Sequence, residues 1–403
     1  MADLVVWSPI NQCTVRLTPA GVSGGQTELF WFKDDPARCA GVPVGGSWAP
    51  SYWAKIEALI ALADPSVEAA FPDELLLDPR DRKTPLGFGM KKASGIPHTQ
   101  IVIPAERAAQ GLNWGPREVR DVALQFARLF ARFERLGITQ NDSHGGNYLV
   151  DWPRFANRPT VFRVDALAFG FHWSGTYFGC DAAVFEFLPP ELHSSDLSTV
   201  EFTRDVDRYS LACLLFPLLT GGSYPWNFGR GKGTAAERVA RKEFAMFTNP
   251  RGTKVPPSVE TAFNTLPAEV IVLFERAFLG DPAVRPAPRE WLHALKLIDT
   301  RWRPTLPRLK TGRLKGLGRA IAQAMWPACA AVRAHRWMLL AVTFTVLAAA
   351  GPPKALFAPR SPGEPALPAS QAGTQGTDSG QAAEEPTAPT RRPKNTGSWQ
   401  NLR

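Results

Sequence analysis

Near residue 105 the hydrophobic pattern of this 403-residue chain changes its period. Before that point short apolar runs such as Leu29-Phe-Trp-Phe32 and Glu74-Leu-Leu-Leu77 alternate with Gly, Pro and Asp clusters, as the strands of a small sheet do. Beyond it Val119, Val122, Phe126, Leu129, Phe133 and Leu136 recur every three or four residues, which places them on one face of a helix. A strand-rich segment followed by a helical one is the expectation for residues 1–300, with a boundary at 105/106. No internal repeat is evident.

The formal net charge of +9 raises the question of a nucleic-acid partner, and its distribution answers it. Nine Lys or Arg and no acid lie between Arg301 and Arg336, and the remainder of the chain beyond them is also net basic. Residues 1–300 are left slightly acidic, so no nucleic-acid partner is expected for the folded part. The five cysteines are scattered without CxxC spacing, which fits neither a disulfide framework nor a zinc site and points to a reducing compartment.

Directly after the amphipathic helix comes Gln140-Asn-Asp-Ser-His-Gly-Gly-Asn-Tyr-Leu-Val-Asp151. A carboxylate, Asp142, stands there five residues before an amide, Asn147. A second carboxylate, Asp165, closes the apolar run Val161-Phe-Arg-Val164. Taken singly, an Asp in a turn more often caps a helix or bonds its own backbone. The ordered set resembles the catalytic site of protein kinases, with Asp142 in the catalytic position and Asn147 and Asp165 as metal ligands. Phe187-Leu-Pro-Pro-Glu191 resembles the family's Ala-Pro-Glu segment, and Asp205-Val-Asp-Arg-Tyr-Ser210 resembles the start of its central buried helix. Asp281-Pro-Ala-Val-Arg-Pro286 resembles its closing element. The resemblance covers residues 120–295. It implies that Asp207 ties down the catalytic loop and that Arg285 pairs with Glu191, a contact whose loss should destabilise the helical segment.

The fold class expected from this resemblance is α+β: a bilobal protein-kinase-like fold with a small β-rich lobe (1–105) and a helical lobe (106–300). ATP with Mg2+ or Mn2+ is the implied cofactor. The N-terminal lobe follows the family less closely. Ala20-Gly-Val-Ser-Gly-Gly-Gln26 can serve as the turn over the phosphates through Gly21, Gly24 and Gly25, although it lacks the full G-x-G-x-x-G spacing. Gly41 occupies the place of the strand lysine. Lys33 or Lys55 could substitute for it, and Lys33 and Glu57 are taken as the cofactor-facing pair. Gln140 and Asn141 replace the usual His-Arg. His144 reads as a loop-stabilising side chain, since Asp142 already fills the role of base.

Past residue 300 the chain changes character. The basic segment 301–336 leads into Trp337–Pro353, which is uncharged and lies at the short limit of a membrane span. Positive residues ahead of it place the folded part on the cytoplasmic side. Ala320–Val332, broken by Pro327, suits an interfacial helix. Residues 354–403 are rich in Pro, Ala, Gly, Ser and Thr and are expected to be disordered. The N-terminus lacks the basic start of a leader peptide.

The expectation is therefore a Ser/Thr protein kinase of a bacterial inner membrane, single-pass, with an unidentified protein substrate. One alternative is a pseudokinase that binds nucleotide or partners without catalysis, which the missing lysine favours. A remoter one is a small-molecule phosphotransferase, which would have no need of Glu191 and Arg285.

Overall fold

The structure, a computed structural model, describes residues 3–23, 26–152, 158–180, 182–228, 233–248 and 255–298. The apolar run 337–353, the segments 301–336 and 354–403, and Gly24 and Gly25 lie outside them. Among the described residues no helix is long and apolar enough to cross a membrane.

The N-terminal strands close on themselves. β1 (Leu4–Ser8), β2 (Cys13–Ser23), β3 (Thr27–Phe32), β4 (Arg38–Pro43), β5 (Pro72–Leu77) and β6 (Pro85–Lys91) form an antiparallel barrel in the order β1-β2-β3-β4-β6-β5. Closure comes where Trp7 of β1 faces Leu77 of β5. Val6, Leu17, Phe30, Phe32, Ala40 and Leu76 fill the interior, and the spacing of Phe30 and Phe32 shows the two-residue period of a half-buried strand. The helix α1 (Pro50–Leu62) interrupts the strands between β4 and β5.

The barrel ends at Lys91. A three-stranded sheet of β7 (Ile96–Pro97), β8 (Tyr148–Asp151) and β9 (Thr160–Arg163) and a hairpin of β10 (Phe171–Trp173) and β11 (Thr176–Phe178) belong to the next part. Its helices are α2 (His98–Ile101), α3 (Pro104–Ala109), α4 (Pro116–Leu136), α5 (Arg204–Thr220), α6 (Ala235–Ala240), α7 (Ala245–Thr248), α8 (Pro257–Asn264), α9 (Ala268–Phe278) and α10 (Pro288–Ala294).

Two of these helices position the site. At the start of α4 the Glu118 carboxylate accepts the Gly115 N–H at 2.8 Å, and the helix stops where Gly137 turns left-handed (φ 68°). Its apolar stripe of Val122, Phe126, Leu129, Phe130 and Phe133 is buried. By contrast α5 is buried on every side from Tyr209 to Thr220, as its unbroken apolar run requires. The two pack against each other at the centre of a single large core that also takes in Ile56 and Leu59 of α1.

Candidate functional site

The loop between α4 and β8 carries Asp142 and Asn147, and buried groups hold its backbone from below. Asp207, in the first turn of α5, receives the Gln140 N–H on both carboxylate oxygens at 3.0 Å. Burial pushes this acid up to about 7, against the pull of the Gln140 N–H and the charge of Arg163. Arg163, at the end of β9 and fully buried, donates to the carbonyls of Gln140 and Asp142 at 3.1 Å each, of Asn147 at 3.3 Å, and of Val164. Its guanidinium lies over the rings of Tyr148 and Phe169. The Tyr148 hydroxyl donates to the Gln140 amide oxygen at 3.0 Å and lies 3.1 Å from Ser143 Oγ.

One close approach explains a glycine in this loop. A Cβ on Gly145 would stand 2.7 Å from Nδ1 of His98, a buried ring that donates from Nε2 to the Leu214 carbonyl at 2.9 Å. Burial drives His98 down to about 4, so the ring is neutral where it supports the loop.

Above this scaffold Asp142 is half-buried and fully engaged. Its Oδ1 accepts the Val184 N–H at 3.0 Å, and its Oδ2 accepts the Asn147 amide N–H at 3.2 Å. The same amide nitrogen donates to the Asp142 carbonyl at 2.9 Å, which orients Asn147 with its amide oxygen turned away from Asp142. His144 Nδ1 accepts the Gly146 N–H at 3.0 Å, so the neutral ring carries its proton on Nε2, 3.5 Å from Asp142 Oδ2. Burial lowers the His144 pKa in spite of Asp142, which favours that neutral form.

Asp165 is exposed and adopts a left-handed backbone (φ 62°, ψ 67°), an unfavourable conformation for a non-glycine residue that aims its carboxylate independently of the strand before it. Among the described residues no three His, Cys, Asp or Glu side chains cluster as a metal site. The Asn147 amide oxygen and the Asp165 carboxylate are nevertheless the hard oxygen donors that magnesium takes when waters and phosphates supply its other ligands. The donor set fits a phosphate-bound divalent ion. Farther down, Arg285, almost wholly buried, holds Glu191 in a two-pronged pair at 2.6 and 2.8 Å and also donates to the Asp205 carbonyl at 3.2 Å.

The barrel contributes less than the sequence reading expected. Gly21 is left-handed (φ 71°) with open space around it, as a turn over a ligand allows. Lys33 does not join the site. Thr27 of β3 pairs with Pro43 and Trp31 with Cys39, so the chain leaving the Gly-containing turn has run the length of the strand before it reaches Lys33, which is exposed at the other end. Glu57 is likewise exposed on α1, because the buried face of that helix carries Lys55, Ile56 and Leu59. Gly41 lies under the Phe88 ring of β6: a Cβ there would stand 2.5 Å from Phe88 Cζ, and Phe88 stacks on Trp48 at 5.8 Å between centroids. Aromatic packing fills the space that a side chain at this strand position would need.

Two residues matter more than their sequence signal indicated. Arg163 stands out as the one charged residue in Val161-Phe-Arg-Val164, and a charge inside a buried strand is a detectable anomaly. Lys55 is buried and donates to the Leu167 and Gly179 carbonyls at 2.6 Å each.

No family model matches the chain. It is 29% identical over 256 residues to the protein kinase YegI of Escherichia coli O157:H7, and 29% identical over 253 residues to the YegI of strain K12. Over that stretch the chain is similar to these two kinases. Each match takes in 60% of this chain and 38% of the relative, so the chain spans well under half of the proteins it resembles.

Proposed function

We propose that this protein is an ATP-dependent protein kinase that transfers the γ-phosphate to a Ser or Thr hydroxyl, with Asp142 as its catalytic carboxylate. The observation that carries this reading is the loop itself. Arg163, Asp207 and Asn147 fix Asp142 with one oxygen against Val184 N–H and the other toward Asn147, poised to orient a hydroxyl and take up its proton. Asn147 and Asp165 would hold the divalent cation. That cation, when bound, neutralises charge on the phosphates. The Glu191–Arg285 pair argues against a small-molecule phosphotransferase. A pseudokinase is the second reading, and the aromatic filling at Gly41 favours it, because a catalyst needs a cation near the phosphates. Residence in a bacterial inner membrane through residues 337–353, with the basic segment beside it, belongs to the same proposal. Extraction that needs detergent and resists high salt would support it.

The test is phosphotransfer by the full chain from labelled ATP with Mg2+ or Mn2+ to itself and to generic protein substrates. Transfer should fall by about 10²–10⁴ in Asp142→Asn. Asp165→Ala should lose metal-dependent nucleotide binding. Nucleotide binding without transfer in the wild type would select the pseudokinase. Absence of both would end the kinase reading.

A further inference from the structure

We propose that Lys55, carried on α1 and not on a barrel strand, is the cation that meets the nucleotide phosphates. The proposal rests on the kinase reading above and says which residue completes its site.

Three observations lead there. The first concerns what the barrel cannot supply. At Gly41 the room for any side chain is taken by Phe88, itself buried and stacked on Trp48, while Lys33 is exposed at the opposite end of its strand. The second concerns α1. A helix that packs Ile56, Ala58 and Leu59 into the core also turns Lys55 inward, and only 5% of that lysine is exposed. Taking an ammonium out of water costs several kcal/mol, so it needs a specific environment to stay there. Glu57 points out to solvent, so the inward face of α1 presents a cation where the family pattern expects an acid.

The third observation is where the ammonium ends. It donates to the carbonyls of Leu167, two residues past Asp165, and of Gly179, at the start of the segment that leads to Val184, whose N–H meets Asp142. Arg163, the other buried cation at this loop, is committed to four main-chain carbonyls. An ammonium on a flexible four-carbon stem can turn to phosphate oxygens and make charge-assisted bonds there.

Two measurements on the full chain test this. The first leaves the sequence untouched: an acyl-phosphate derivative of ATP acylates a lysine held at the phosphates, forming an amide as the nucleotide phosphate leaves, and peptide mass spectrometry reads the acylated residue. Label on Lys55 that ATP suppresses and adenosine does not is the expected result. ATP-protected label on Lys33 or another lysine instead of Lys55 overturns the proposal. The second compares Lys55→Met, Lys55→Arg and Lys33→Met, each checked for folding by circular dichroism. Lys55→Met should lose about a hundredfold in kcat/KM for ATP. It should bind adenosine as the wild type does, Lys55→Arg should recover part of the loss, and Lys33→Met should match the wild type. Unchanged ATP kinetics in Lys55→Met, or parallel loss of ATP and adenosine binding, overturns the role of Lys55 while leaving the kinase reading intact. A wild type that neither binds ATP nor transfers phosphate overturns both.

Discussion

Buried charge is arranged differently in the barrel and in the helical part. In the helical part Asp207 and Arg163 hold one loop through its backbone groups, and Arg285 holds the Glu191 carboxylate and the Asp205 carbonyl. In the barrel the buried carboxylate of Glu74 accepts from Ser8 Oγ, the Ile10 N–H and Arg38, all at the end away from the Gly-containing turn. The barrel's polar network closes the barrel, and at Gly41 the strand offers only space for an aromatic ring. One part uses its buried charge to fix a loop. The other uses it to close on itself.

The comparison breaks most visibly at Arg163. Arg163→Met removes donors from four carbonyls at once, and each buried acceptor left unmet costs about 1–3 kcal/mol. The variant should lose most of its cooperative unfolding transition in urea. A variant as stable as the wild type would mean that the loop does not depend on this anchor.

Next in size is a pH effect in which two buried groups oppose each other. The unfolded chain ionises Asp207 near 3.8, while the fold keeps it protonated up to about 7, so its contribution to stability falls as pH rises between those values. His98 acts in the reverse sense. Unfolded, it takes a proton below 6.5, but the fold keeps it neutral down to about 4, so its contribution grows as pH rises through that window. Denaturant melts from pH 4 to 7 should show the Asp207→Asn variant gaining stability with pH relative to the wild type, and His98→Asn losing it. If both variants follow the wild-type slope, neither group is buried in the ionisation state described.

How much of this was legible in the sequence follows the same division. The helical part declared itself through residue types at fixed spacing: Asp142 with Asn147, Asp207 in the first turn of a buried helix, and Glu191 with Arg285. The barrel was harder to read. A filled cleft is made of Gly41, Trp48 and Phe88, which look like any apolar residues, and only the register of β4 against β6 brings Phe88 over Gly41. On α1, Glu57 and Lys55 are two residues apart, a rotation of about 200° at 3.6 residues per turn, so only one of them can face the core. An acid was expected to face inward there, and the core contacts of Ile56 and Leu59 turn the lysine inward instead.

At Gly41 the expected effect is smaller. Gly41→Ala drives a methyl into the Phe88 ring and should cost about 1–3 kcal/mol, as overpacking does. Pairing it with Phe88→Leu should recover part of that loss by opening the space, a non-additivity that thermal melts of the two single variants and the double variant would measure. Strict additivity would show that the ring does not occupy the glycine's side-chain space.

The smallest effects belong to the residues that the sequence pattern nominated and the fold leaves in solvent. Lys33 sits past the end of β3, and Glu57 lies on the outer face of α1. An exposed side chain away from caps, turns and buried partners changes stability by no more than about 0.5 kcal/mol when it is replaced. Lys33→Ala and Glu57→Ala should therefore unfold within that margin of the wild type and leave the KM for ATP unchanged. A several-fold rise in KM for either one would place a barrel-end lysine or an outer helix acid at the nucleotide after all. That result would contradict the exposed positions in which the fold holds both side chains.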